Sequence, residues 1–356
     1  MTSFSEPENE MADTLVYAGT YTNKGGRGTY AFRFREEDGG LEPIGDPAKS
    51  ESPSFLTIHP SRQYLYATNE TDPGLVTAYS IQDSGSLEKL NEHPSHGAAP
   101  CHLMCDATGK YLIVVNYTSG TVSMYPIESD GSLGEASQTI QHEGSSILPR
   151  QTGPHAHSVN IDAQNRYAYV ADLGMDKVVI YEMDLDLGKL NAVGHIDTAP
   201  GAGPRHFDFH PNGKNAYLIN EIGCTVSALD YDASTGALKE INTLSTLPGE
   251  VEQGFSTADI HVHPNGTLVY GSNRGHNTIV CYSIDSTGAI QFVERTPVEA
   301  VPRNFAIDPT GTFLLSAGQE SGKTTSFRID RESGTLTPTG ASTDIPGCVC
   351  LQFLAR

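Results

Sequence analysis

A turn that returns six times at near-regular intervals leaves this chain few folds to choose from. The turns read HPSRQ, DATGK, DAQNR, HPNGK, HPNGT and DPTGT, and they open at His59, Asp106, Asp162, His210, His263 and Asp308, 45 to 56 residues apart. Clusters of Asp, Asn, Pro and Gly between apolar runs are hairpin chemistry, because these residues supply or tolerate the backbone angles of a tight reversal. Three and one positions before each opening residue stand Leu56 and Ile58, Leu103 and Cys105, Val159 and Ile161, Phe207 and Phe209, Ile260 and Val262, Phe305 and Ile307. A period of two is a strand with one buried face. Downstream of the turn comes a second apolar run (YLYATNE, YLIVVNY, AYLINEI), then a third (VTAYSI, VSMYPI, VVIYEM, VSALDY, IVCYSI, TTSFRI). A turn such as DSGSLEKL or STGALKEI then leads to a fourth, more variable strand. Six copies of four strands, spaced within or near the range of propeller blades, account for most of the chain.

A seventh copy is split between the ends. LVYAGTYT and GTYAFRF near the N-terminus match second and third strands with no first strand before them, and PGCVCLQFLA near the C-terminus matches a first strand with nothing after it. A closed ring explains both, because the last strand completes the blade that the first residues begin. An open meander or two sandwiches would leave both orphans as exposed edges. With 36 Gly, 21 Pro and no long apolar stretch of period 3.6, the chain is expected to be all-β. It reads as one seven-bladed propeller of four-stranded blades over residues 14–356. Residues 1–13, polar and acidic with no apolar core, are expected to form a disordered tail rather than a signal peptide or a membrane span.

The copies keep their apolar positions and vary at one edge. Five residues before the turn stand Ser54, Cys101, His157, Arg205, Ala258 and Arg303, with Gly347 assigned to the closing blade. The next position holds Phe55, His102, Ser158, His206, Asp259 and Asn304, and the second strands exit at Tyr21, Glu70, Tyr117, Leu173, Glu221, Arg274 and Gln319. The start of a first strand and the end of its antiparallel neighbour lie at the same end of a sheet, so these positions make one ring around a channel mouth. His157, Arg205 with Glu221, Asp259 with Arg274, and Arg303 with Gln319 belong to four consecutive blades. Three arginines on one arc of a chain of net charge -21 reverse the local sign, as a pocket for an anion requires.

The same charge argues against nucleic acid and anionic membranes as partners, since phosphate binding depends on neutralisation by Lys and Arg. No run approaches the roughly 20 apolar residues of a bilayer span. The six cysteines fall without CxxC or zinc-finger spacing, and those at 101, 105, 348 and 350 lie in apolar runs as small hydrophobes, which fits a reducing, cytoplasmic setting. Two His-x-His pairs, His155/His157 and His261/His263, put imidazoles on one strand face and raise the question of a metal. His263 is explained by its turn, and no obvious carboxylate set surrounds the others, so no metal is expected. No phosphate loop, dinucleotide fingerprint or serine nucleophile elbow is present, and no cofactor is expected. The oligomeric state is not legible.

PHAHSVNID, GAGPRHFDFHPNGKNAYLINE, TADIHVHPNGTLVYGSNR and PRNFAIDPTGTFLLSAGQ resemble the seven-bladed propeller lactonase family, which includes propeller-type bacterial 6-phosphogluconolactonases and the fungal carboxy-muconate lactonizing enzyme. The resemblance covers the chain apart from about the first dozen residues. It implies a catalytic set of His157, Arg205, Glu221 and Arg274, with His155 as the competing histidine. Lactone hydrolysis needs a base for water and donors for the oxyanion. Glu221 or His157 would be the base and Arg205 the oxyanion donor. Arg274 and Arg303 would bind a phosphate or carboxylate, and His206, Asp259, Gln319, Glu70 and Tyr21 would line the substrate site. The expected ligand is a small anionic sugar lactone or carboxylated substrate, and the leading function a 6-phosphogluconolactonase. A carboxy-muconate cycloisomerase using the same residues and a non-enzymatic docking platform are the alternatives.

Overall fold

A computed structural model describes residues 14–356; the expected tail at 1–13 lies outside the described residues. Seven four-stranded antiparallel sheets follow one another, each ordered first to fourth strand from one edge to the other. Blades 1 to 6 begin with the strands Pro53–Ile58, Pro100–Cys105, Ala156–Ile161, Pro204–Phe209, Ser256–Val262 and Pro302–Ile307. Blade 7 joins Cys348–Ala355 to Thr14–Thr20, Tyr30–Phe34 and Leu41–Pro43. Its closing pair runs antiparallel from Thr14 against Ala355 to Thr20 against Cys348. The seven first strands pack against one another around the axis, as the sequence repeat requires.

The core explains why the second strands read as continuous apolar runs. Seven apolar clusters lie one at each blade-to-blade contact. Each second strand is therefore covered on both faces, and Leu112, Ile113, Val114 and Val115 are all fully buried. Between blades 3 and 4, for example, Tyr169 stacks on Phe207 with ring centroids 5.6 Å apart. A strand sandwiched on both sides loses the alternation that a half-exposed strand keeps.

The recurring turn does two jobs. Where it opens with Asp, the carboxylate collects backbone donors: Asp106 Oδ1 accepts from the amides of Lys110 and Tyr111, both at 2.8 Å. Where it opens with His, Nδ1 accepts the amide two residues on, which leaves Nε2 as the donor. In His59, His210 and His263 that Nε2 reaches the carbonyl of Gly109, Gly266 or Gly311 in the next blade, at 2.9, 2.6 and 2.8 Å. Gly266 must be glycine here, since its φ is +74° and a Cβ would meet His210 Cε1 at 2.8 Å. Tyrosines of second strands add a further latch, as in Tyr217 Oη to Gly288 O at 3.1 Å and Tyr270 Oη to Gly334 O at 2.9 Å.

Ring closure makes a direct prediction. Removing residues 348–356 strips Cys348, Cys350, Leu351 and Leu354 from two core clusters and opens Thr14–Thr20 as an unpaired edge, which invites aggregation. The truncated chain should lose its soluble, cooperatively melting fraction. A truncated protein with the full-length melting temperature would show that closure does not hold the ring.

Candidate active site

A β-bulge near the start of each first strand builds the mouth. In blades 1 to 4 and 6 the pairing skips one residue, which is Ser54, Cys101, His157, Arg205 or Arg303, and blade 5 carries the irregularity across Ala258 and Asp259. An extra residue breaks the strict alternation of the strand and re-aims a side chain. The closing blade corrects the expectation for Gly347. Thr20 pairs with Cys348 and Gly19 with Cys350, so Val349 is the bulged residue there. Gly347 instead accepts the amide of Tyr21, as Gly203 accepts that of Glu221. With no turn residue downstream to count from, the sequence offset was two residues short.

Glu221 is the centre of the site. Its Oε2 takes Arg205 Nε and Arg274 Nη2, each at 2.9 Å, and its Oε1 takes Arg150 Nη2 at 2.6 Å. Burial opposes ionisation, but the charges of Arg274, Arg205 and Arg150 outweigh it and hold the carboxyl well below its usual range. His157 Nε2 stands 3.9 Å from the same Oε2, and its Nδ1 lies 3.8 Å from Cys101 Sγ. Burial, reinforced by Arg205, keeps this imidazole well below its usual pKa and therefore neutral. His155 is placed differently, stacked on Tyr117 with Nδ1 on the Tyr117 carbonyl at 2.9 Å. Of the two histidines, His157 is the one that meets Glu221.

The arginines differ in what they have left to offer. Arg205 is 2% exposed, with Nε on Glu221 and Nη1 on the Ala258 carbonyl at 2.6 Å. Burial and the neighbouring Arg303 and Arg274 lower its pKa to about 10, so it keeps its charge. Arg274 spends Nε and Nη2 on the Thr257 carbonyl as well as on Glu221. Arg303 lies over the Tyr21 ring, 5.4 Å from its centroid, and among the described residues its guanidinium has no hydrogen-bond acceptor. Tyr21 donates to Glu70 Oε2 at 2.7 Å beside it. Four guanidinium groups thus face two carboxylates in a chain that is otherwise strongly acidic.

Two residues expected to line the substrate site turn elsewhere. Asp259 turns from Arg274 to His206 Nδ1 at 2.7 Å, His261 Nε2 at 2.9 Å and Asn304 Nδ2 at 2.5 Å. Together with Phe55, His102 and Asp208, His206, Asp259 and His261 line a separate cavity of about 310 Å³ in the channel. His206 still touches the mouth through His157, ring centroids 5.4 Å apart. Gln319 reaches Glu320 rather than Arg303, at 3.1 Å. Sequence reasoning missed Arg150. It sits on a short 3-10 turn, Pro149–Gln151, whose Gln151 is fully buried and bonded to Leu173 O and Asp176 Oδ1. The signal available was the longest interval between turns, from Asp106 to Asp162, which holds this extra loop.

The depressed Glu221 pKa fixes the sign of a pH effect. A carboxyl whose folded pKa is lowered stabilises the fold above its unfolded pKa, about 4.5, and loses that stabilisation as pH falls towards the folded value. Glu221→Gln should therefore cost about 3 kcal/mol at neutral pH, the scale of breaking a buried ion pair. The gap to wild type should narrow steadily below about pH 4.5. Melting curves across pH check this, and a gap that stays constant down to pH 3 would refute it.

Comparison with known proteins places the chain in a family. The family model described as "Lactonase, 7-bladed beta-propeller" matches residues 15–353. The chain is 35% identical to the 6-phosphogluconolactonase of Bacillus subtilis, over 97% of this chain and 99% of that one. It is 34% identical to the 6-phosphogluconolactonase of Formosa agariphila, over 95% and 99%. Among solved structures, the periplasmic gluconolactonase of Pseudomonas aeruginosa superposes with a TM-score of 0.92 at 30% identity, covering 97% of this chain and 99% of that one. No helix among the described residues is long and apolar enough to cross a membrane. By the family match and these relatives, the chain belongs to the seven-bladed β-propeller lactonase family and is a lactone-hydrolysing enzyme.

Proposed function

We propose that the chain hydrolyses 6-phosphoglucono-δ-lactone to 6-phosphogluconate without a cofactor. The observation that carries this is the combination at one mouth of a neutral buried histidine, an ionised carboxylate beside it, and Arg303 with no hydrogen-bond acceptor for its guanidinium among the described residues. Water adds to the lactone carbonyl carbon while His157 takes its proton. The ionised Glu221, 3.9 Å from Nε2, stabilises the imidazolium as it forms. Arg303 supplies N–H donors to the oxyanion, a role for which Arg205 has little free surface. Collapse of the tetrahedral species breaks the ring C–O bond, and the imidazolium returns its proton to the departing alkoxide. The lowered pKa of His157 suits that last step, since it makes the imidazolium a strong acid.

Arg205 then acts as the group that positions Glu221, and Arg274 with Arg150 gives the mouth its excess positive charge for an anionic substrate. The names of the relatives are those of lactone hydrolases, which favours hydrolysis over cycloisomerisation of a muconate. All six cysteines are buried free thiols, in keeping with a cytoplasmic setting.

Purified protein in a coupled assay, corrected for spontaneous ring opening, should turn over 6-phosphoglucono-δ-lactone. A rate equal to blank would end the proposal. Arg303→Ala should lower kcat by roughly 100-fold, the scale of one lost oxyanion donor. If only KM rises, Arg303 binds the ground-state anion and the oxyanion donor lies elsewhere.

A further inference from the structure

Of the three arginines on Glu221, one is far more exposed than the others. Arg205 is 2% exposed and tied to a second acceptor, and the Arg274 side chain is 14% exposed with two bonds to the Thr257 carbonyl. The Arg150 side chain is 52% exposed and, among the described residues, has besides Glu221 only a bond of 3.3 Å to Tyr117 Oη. Its backbone is nevertheless fixed, because the adjacent Gln151 is buried and held by Leu173 O and Asp176 Oδ1. Asp176 also anchors Ser146 Oγ, Gly201 N and Gly203 N, tying this loop to the entrance of blade 4. Arg150 is thus a half-exposed side chain on a firmly bonded base.

We propose that Arg150 is a specificity residue that reads the phosphate of a phosphorylated lactone and, in turning to it, releases one oxygen of Glu221. The inference rests on the lactone-hydrolysing role above and names what selects the substrate. A phosphate dianion outcompetes a carboxylate already shared by three cations, since each further cation on one carboxylate repels the others. Arg205 and Arg274 remain on Oε2 when Arg150 leaves Oε1. Losing one of three cations raises the proton affinity of Glu221 and strengthens its hold on the imidazolium of His157. Phosphate binding at the rim is in this way coupled to the chemistry below it, and an unphosphorylated lactone forgoes that coupling.

The test uses wild type, Arg150→Gln and Arg150→Lys with 6-phosphoglucono-δ-lactone and with glucono-δ-lactone, plus calorimetric titration with inorganic phosphate. Arg150→Gln should lose about tenfold or more in kcat/KM on the phosphorylated lactone, the value of one charge-assisted contact. The preference for the phosphorylated lactone, read as the ratio of kcat/KM on the two lactones, should fall by about the same factor. Arg150→Lys should recover part of the loss, and phosphate should bind Arg150→Gln about tenfold more weakly than wild type. Equal losses on both lactones, an unchanged kcat/KM on the phosphorylated one, or equal phosphate affinities would overturn the proposal. If wild type hydrolyses neither lactone, the assigned function fails and the titration alone decides Arg150. Weaker phosphate binding by Arg150→Gln upholds the contact, and equal binding removes it.

Discussion

Closure of the ring by Cys348–Ala355 against Thr14–Thr20 is the constraint on which the rest depends. No blade buries its faces alone, since each apolar cluster is shared by two neighbours. An open arc of the same blades would therefore expose two whole faces at its ends. Closure also fixes the site. Arg205 of blade 4 reaches the Ala258 carbonyl of blade 5, Arg274 of blade 5 returns to Glu221 of blade 4, and Arg303 of blade 6 lies over Tyr21 of blade 7. Every one of these contacts crosses a blade boundary.

Within that frame, the bulges convert a structural repeat into a chemical one. The same irregularity in each blade presents a different side chain, and in three of the seven that side chain is His157, Arg205 or Arg303. Burying a carboxylate among them is costly unless it is well paired, and Glu221 forms ion pairs with three guanidinium groups, two of them hydrogen-bonded. The result is an ionised group in a site of net positive charge, beside an imidazole that burial keeps neutral. Both groups are thereby held proton-free at neutral pH, which leaves an imidazole able to take a proton beside a carboxylate able to stabilise the imidazolium that results.

Much of this was legible in the sequence, for identifiable reasons. The blades follow from turn residues and a two-residue period, and the Arg205–Glu221 contact follows from adjacent antiparallel strands ending together. What stayed hidden depended on side-chain reach or on departures from the repeat. Arg274 crosses to Glu221 instead of pairing with Asp259 of its own blade, because a long side chain is not bound by strand membership. Arg205 and His206 are sequence neighbours, yet one serves the mouth and the other the channel, a split decided by the bulge. Arg150 lies in the longest interval between turns, where no copy exists to compare it with.

The central claim is that substrate meets Glu221, His157 and Arg303 at this mouth rather than in the channel cavity beside His206 and Asp259. A crystal structure with bound 6-phosphogluconate tests it most directly. The account predicts the product carboxylate on Arg303 within hydrogen-bond reach of His157, and the phosphate at the rim on Arg150. Product seated instead among Asp208, His206 and His261, with the arginine-lined mouth unoccupied, would contradict it.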